Sequence, residues 1–304
     1  MNPQRKLFFA VNPYAGKEAI RTSFLKIVDT FVRGGYTPTV YTTQQPGELT
    51  GIIARNGEQY DMVVCAGGDG TLNETVNGLM WLEHPPVLGY IPAGTTNDFA
   101  SSLGIPKQML KAAQAVVEGT PVSVDVGRFG DKYFTYVAAF GAFTDVTYST
   151  PQQYKNSLGR LAYLLEGVQR LSNIQSYSLR LEHDGGATEG EFLLGVVSNS
   201  SYVAGLPVSR WIDSSMSDGL LEVTLVRKPA QMIELTRVAS NLLLGELDPE
   251  LIFTVKTRRL RITSPEPIPW TLDGEYGGAP TDVTIEDLQR ALTIQLPPAK
   301  ESKK

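Results

Sequence analysis

Along the first 120 residues the apolar positions come in short runs, each closed by glycine, proline or asparagine. Residues 7–11, 38–42, 62–65 and 87–91 have the length and boundaries of buried strands. Between them the period changes. Ile20, Phe24, Ile27, Val28, Phe31 and Val32 recur at helical spacing and stop at Gly34-Gly35, and residues 107–117 do the same before Gly119. Strands alternating with helices predict a parallel sheet covered on both faces. Past Gly119-Thr120-Pro121 the rhythm becomes that of β structure. Val122, Val124 and Val126 alternate with polar residues, and residues 132–140 read as one strand. Leu179 and Leu181 alternate up to Asp184-Gly185-Gly186, a hairpin signal that leads into 191–197. Further strands are predicted at 220–226, 252–256, 260–263 and 292–296, interrupted by helices at 158–171 and 230–244. The expectation is an α/β domain over residues 1–121, a largely antiparallel β domain over 122–297, and a polar tail at 298–304.

Composition narrows the function classes. The chain has 304 residues, 42% hydrophobic and 19% charged, which is ordinary for a globular protein. A net charge of −5 argues against broad nucleic-acid binding. The single cysteine, Cys65, lies in the apolar run Met62-Val63-Val64-Cys65-Ala66 and reads as a buried, inert thiol. With no intrachain disulfide available, a reducing cytoplasm is the expected compartment. No stretch approaches the roughly 20 apolar residues of a spanning helix, and the first apolar run is too short for a secretory signal. The protein can touch a membrane, but it is not expected to cross one.

Glycines concentrate where the predicted parallel strands end, the edge at which open α/β sheets bind ligands. The strand at 62–66 runs into Gly67-Gly68-Asp69-Gly70-Thr71-Leu72-Asn73-Glu74 and then a helix. Such a loop lets backbone N–H groups approach phosphate oxygens, and the helix N-terminus adds positive potential. Asp69 is placed to orient a magnesium–phosphate complex; the plainer alternative is a turn in which Asp69 caps the helix. No Walker-type loop is present, and Asn73 stands where a dinucleotide fingerprint needs its third glycine. Asn12-Pro13-Tyr14-Ala15-Gly16-Lys17 follows the first strand and Pro92-Ala93-Gly94-Thr95-Thr96-Asn97-Asp98-Phe99 the fourth. Parallel strands put all three loops on one sheet edge.

These strings, together with Asp125-Val126-Gly127, residues 155–163, Asp218-Gly219 and Leu272-Asp273-Gly274-Glu275, resemble the bacterial diacylglycerol kinase family over nearly the whole chain. Residues 67–71 alone are similar to NAD kinases and phosphofructokinases as well. The resemblance implies an α/β nucleotide-binding domain of that kind, followed by an antiparallel β-sandwich-like domain. It implies ATP held by Asn12, Pro13, Tyr14, Ala15, Gly16, Thr43, Gly67, Gly68, Asp69, Gly70, Thr71, Leu72, Asn73 and Thr95. Thr42 competes with Thr43, which is preferred from its spacing after Asn12. Glu275 matches the general base. Ser215, Asp218 and Leu220 match a structural Mg2+ site, Ser215 and Leu220 through backbone carbonyls. Asp98 and Asp125 match acidic positions of a water-bridged network around the active-site magnesium. Ala15 departs from the family's usual serine and leaves the backbone cradle intact.

Each position also has a plainer reading. Asp218-Gly219 is a common turn, and Glu275 fits the solvent side of a hairpin. Lys256, Arg258, Arg259 and Arg261 read as a solvated strand edge, with anionic-lipid contact as the alternative. The function implied is an ATP-dependent lipid kinase acting on diacylglycerol at the inner face of the membrane, with a homodimer left open. Phosphatidylglycerol or a sphingoid base would suit the same parts. An NAD kinase-like enzyme and a non-catalytic lipid or nucleotide sensor complete the alternatives.

Overall fold

The computed structural model describes residues 5–95, 97–141, 175–200, 202–203, 206–207, 215–229, 234 and 248–298. The chain divides into two compact units, Met1–Val126 with Gln289–Lys304, and Gly127–Leu288.

The first unit is built on β1 (Arg5–Val11), β2 (Tyr36–Thr42), β3 (Met62–Gly67) and β4 (Val87–Pro92), all parallel, with β1 between β2 and β3 and β3 beside β4. Both faces of β1 are apolar, so alternate side chains serve opposite layers. Phe9 meets Phe24 and Phe31 of α1 (Ala19–Arg33), with ring centroids 6.1 and 5.1 Å away, while Phe8 meets Tyr60 at 5.3 Å. The helix α1 stops at Gly34-Gly35, as its pattern predicts, with Gly35 at φ 82°. The α2 helix (Glu48–Asn56) has no counterpart in the sequence reading, because only Leu49 and Ile53 carry its buried face. Glu74 of α3 (Asp69–Leu79) supplies its cap, accepting the N–H groups of Gly47 and Leu49. The α4 turn (Asp98–Ser102) and α5 (Met109–Glu118) complete the unit.

The chain leaves this unit within β5 (Thr120–Phe129). In the second unit β6 (Lys132–Phe134), β7 (Val137–Gly141), β8 (Tyr177–His183) and β9 (Gly186–Ser198) are antiparallel to their neighbours. The predicted turn at 184–186 is a hairpin, since His183 pairs Gly186 across it. The short strands β10 (Tyr202–Val203) and β11 (Leu206–Pro207) pair with each other. Then β12 (Leu221–Arg227) pairs β9 and β13 (Ile252–Thr257), and β14 (Arg259–Thr263) pairs β8 and the first part of β17 (Asp282–Leu296). The hairpin of β15 (Trp270–Leu272) and β16 (Glu275–Gly278) joins β7. Phe134, Phe140, Phe192 and Trp270 are among the largest side chains of the core between these strands.

Three expectations need correction. The boundary lies at Val126 rather than residue 121, and the last strand does not belong wholly to the β domain. It runs from Asp282 instead of starting at residue 292, and it carries Ile294 back to pair Leu88 in parallel with β4. The single strand predicted at 132–140 breaks at Thr135-Tyr136, because those N–H groups turn to a distant carboxylate, Asp273. The helix expected at 158–171 lies outside the described residues, as does the one at 230–244 apart from Glu234, which is helical.

Cys65 is fully buried in β3, and burial pushes its thiol up to about 12, against smaller opposing effects of Thr75 and its own backbone. A thiol held protonated and out of reach does not react. Ellman's reagent added to native protein should give no signal until denaturant opens the sheet; labelling within minutes in native buffer would contradict this packing.

Candidate active site

The three glycine loops of the first unit meet backbone to backbone. A Cβ on Gly94 would lie 2.6 Å from the Cα of Gly68, and one on Gly16, at φ 58°, would lie 2.4 Å from the carbonyl oxygen of Ala93. No side chain fits at these contacts, so the glycines are there to let main chains approach. Hydrogen bonds lock the approach. Ala93 N–H donates to Gly67 O at 2.8 Å, Asn12 N–H to Ala66 O at 2.9 Å and Asn12 Nδ2 to Thr71 Oγ1 at 3.3 Å. The result is a pocket of about 250 Å³ lined by Gly16, Gly94, Thr95, Asn97 and Lys107 among others. A concave surface of main chain at a helix N-terminus is the standard solution for binding phosphate.

Asp69 does not cap its own helix. Gly68 is the N-cap of α3, and the Asp69 Oδ2 atom accepts the Asn97 N–H at 2.9 Å, tying the second loop to the third. Asn97 is the hub. It adopts φ 51°, a conformation asparagine tolerates. Its Oδ1 accepts from Gly94 N–H at 3.0 Å and Tyr90 OH at 3.2 Å, and its Nδ2 donates to Gly94 O at 2.8 Å. Burial, reinforced by Asp69, Cys65 and Asp98, holds the Tyr90 hydroxyl well above its ordinary range, so it stays a donor.

The other sequence candidates of this unit fall around that core. Tyr14 is 71% exposed, and its N–H is held by Asn12 Oδ1, which shapes the first loop. Thr43 N–H extends the β1 pairing at Val11 O, whereas the Thr42 hydroxyl is engaged by Gln44. The Leu72 side chain is fully buried, and its N–H closes the first helical turn on Gly68 O. Asn73 accepts from Asn77. Asp98 is buried at the start of α4, one residue past the hub. Asp125 is also buried, and its Oδ1 accepts the N–H of Arg290, a residue at φ 54° that kinks β17.

In the second unit Asp273 and Glu275 divide the work of one turn. Asp273 is 3% exposed at φ 50°, and its carboxylate accepts four donors: the N–H groups of Thr135, Tyr136 and Val137 and the Thr135 hydroxyl, at 2.7 to 3.1 Å. Glu275, two residues on at the start of β16, is exposed. An anchored turn therefore presents an accessible carboxylate. Near the predicted metal site, Asp218 Oδ1 accepts the Leu220 N–H at 3.2 Å, and Ser215 Oγ accepts that of Ser217 at 3.4 Å. Beside them Glu222 is 3% exposed, and neither of its carboxylate oxygens has a hydrogen-bond partner among the described residues. Burial drives its carboxyl up to about 8, with Lys256 opposing and Asp218 adding to the rise. An oxygen-rich turn beside a buried carboxyl group suits a hard divalent cation.

Comparison with known proteins fits this geometry. The pattern of the diacylglycerol kinase catalytic domain matches residues 6–129, and that of the YegS C-terminal NAD kinase beta sandwich-like domain matches 139–295. The chain is 37% identical to the diacylglycerol kinase of Bacillus subtilis over 271 residues, 88% of each chain. It belongs to the diacylglycerol kinase family. The Staphylococcus aureus diacylglycerol kinase is 33% identical over 91% of this chain and 93% of its own. A solved Bacillus anthracis chain superposes with a TM-score of 0.83 at 28% identity, covering 98% of this chain and 99% of that one. A diacylglycerol kinase structure from the same organism gives 0.76 at 26% identity, covering 97% and 98%.

As a diacylglycerol kinase family member the chain is a phosphotransferase with an alcohol acceptor. Sequence reasoning quoted Asn97 within the third loop without giving it a role, and it missed Lys107 and Met109 of the pocket lining. Asn97 was legible in principle, since an asparagine three residues after Gly94 can fold back on that glycine's peptide. Lys107, the sole charged residue of the pocket lining among the described residues, carried no signal, because it reaches the loops only through the fold. The basic cluster is largely paired within the second unit. Lys256 faces Asp218 and Glu222, Arg259 lies 3.9 Å from Glu286, and Arg261 grips Asp282 at 2.5 Å, which favours the solvated-edge reading. No helix of the described residues is long and apolar enough to cross a membrane.

Proposed function

We propose that this protein transfers the γ-phosphate of ATP to the free hydroxyl of diacylglycerol at a membrane surface, giving phosphatidic acid. The observation that carries the reading is the main-chain cradle at Gly16, Gly68 and Gly94, whose close packing leaves backbone as the surface a nucleotide phosphate meets. The named relatives point to diacylglycerol as acceptor. Gly16, Gly94 and Thr95 of the pocket hold the phosphates, with Gly68 and Asn12 in the adjoining loops, and Lys107 adds a cation. Asp69 would hold Mg2+, which would supply charge neutralisation on the phosphates, and Ser215, Asp218 and Leu220 would hold a second, structural ion. Glu275 accepts the proton of the lipid hydroxyl as that oxygen attacks. Phosphoryl transfer of this kind rests on positioning and electrostatics, not on covalent work by the protein. The chain associates reversibly with the cytoplasmic face of the membrane.

The test is labelled ATP with a panel of acceptors in mixed micelles. Phosphatidic acid should form fastest, ahead of products from phosphatidylglycerol and a sphingoid base. Efficient phosphorylation of water-soluble NAD, with none of diacylglycerol, would overturn the lipid reading. Within that assay Asp69→Asn keeps an oxygen for the Asn97 N–H and removes the charge. Turnover should fall by about 10²-fold while the circular dichroism spectrum holds. More than a tenth of wild-type turnover in the folded variant would remove Asp69 from the mechanism.

A further inference from the structure

Glu222 is the least explained charged side chain of the second unit. It sits on β12, on the face opposite Leu221, Val223 and Leu225, which belong to the core. Cross-strand pairing sets Lys256 of β13 directly beside it, and Ser198 of β9 on its other side. A carboxylate 3% exposed with no hydrogen bond to either oxygen is an expensive thing to bury. Folding keeps such a group when it is protonated or when a cation or a ligand completes it. The Lys256 ammonium lies 3.6 Å from Glu222 Oε1 and 3.8 Å from Asp218 Oδ2. Two carboxyl groups, one from the strand and one from the turn before it, thus converge on a single ammonium. Gly219, at φ 77°, bends the chain so that residues 218 and 222 can face the same point. A divalent cation in the place of the ammonium would face both carboxyl groups.

We infer that Glu222 is a second carboxylate ligand of the divalent-cation site at Asp218, and that the Lys256 ammonium and the metal exchange for the same pair of carboxylates. The inference rests on the proposed magnesium site and extends it. Magnesium readily takes one or two carboxylates and completes its shell with water. When it binds, the Lys256 side chain swings towards solvent, which its long stem permits. Asp218, its side chain 30% exposed, admits the ion, and Glu222 holds it from the buried side.

The test uses the full chain without nucleotide, so that no ATP-bound magnesium contributes. Mg2+ is titrated calorimetrically into wild type, Asp218→Ala, Glu222→Gln and Lys256→Met, and the melting temperature of each is followed against Mg2+. Glu222→Gln, close to isosteric, should weaken magnesium binding by tenfold or more and flatten the melting response. Lys256→Met removes the competitor, so it should bind magnesium several-fold more tightly and depend on it more for stability. Wild-type affinity in Glu222→Gln, alongside lost binding in Asp218→Ala, would overturn the role of Glu222 and leave the Asp218 site standing. Unchanged or weaker binding in Lys256→Met would overturn the exchange. No magnesium response in the wild type would remove the site and the inference together.

Discussion

Glu275→Gln should lower kcat by about 10²–10⁴-fold, the usual worth of a general base, with little change in the KM for ATP. Glutamine is nearly isosteric and keeps an oxygen acceptor, so the turn and the substrate's placement survive. It cannot take a proton at neutral pH. A fall in kcat without a change in KM is the mark of an interaction made only in the transition state. Because Glu275 is exposed, the substitution should leave stability within about 0.5 kcal/mol, as surface changes do. Steady-state kinetics on diacylglycerol micelles and a melting curve on the same preparation check both halves. A loss under tenfold would make Glu275 one more surface carboxylate. The base would then be sought at Asp98 or Asp125, both buried.

Asp273→Ala, two residues away, should do the opposite. It strands three buried N–H groups and a hydroxyl that converge on one carboxylate. Each buried donor left without a partner costs about 1–3 kcal/mol, so the variant should lose about 4 kcal/mol or more, and its melting temperature roughly 10 °C. Asp273→Asn should be nearly as damaging. Asparagine tolerates the left-handed backbone, yet it turns an amide donor towards donors. Thermal denaturation followed by circular dichroism would decide. A stable Asp273→Asn protein would mean that the turn needs the shape of the side chain and not its charge. Together the two variants separate the anchor of the turn from its business end.

Sequence pattern shows elements whose cause is local and hides those whose cause is remote. The parallel strands of the first unit declare themselves because buried runs such as 62–66 need no partner to be apolar. The hairpin at 184–186 announces its own turn. The glycine loops are visible for the same reason, since only main-chain crowding accounts for Gly16, Gly68 and Gly94 at strand ends. By contrast, the break at Thr135 is dictated by a carboxylate 138 residues later. The cap of α2 comes from Glu74, 27 residues from Gly47. Residues 282–291 alternate imperfectly because Asp287 is buried within them and Arg290 kinks the strand. The apolar face of Glu222's strand predicted a strand correctly, but nothing in Leu221-Glu222-Val223 tells that the glutamate is buried. Function was legible where several loops repeat one chemistry, and illegible where a single side chain such as Lys107 arrives through folding alone.

The last strand has a consequence for how the molecule is made. Because Gln289–Lys304 belongs with Met1–Val126, the β unit is an insertion, and every residue of it leaves the ribosome before the strand that borders β4. Until Ile294 emerges, β4 presents a row of unpaired backbone groups, the kind of edge that recruits stray strands. The nucleotide-binding half is therefore begun first and finished last, while the inserted half can complete its core in between. A fragment cut at Val126 would inherit that open edge permanently, and should be prone to aggregate even though it carries all three glycine loops.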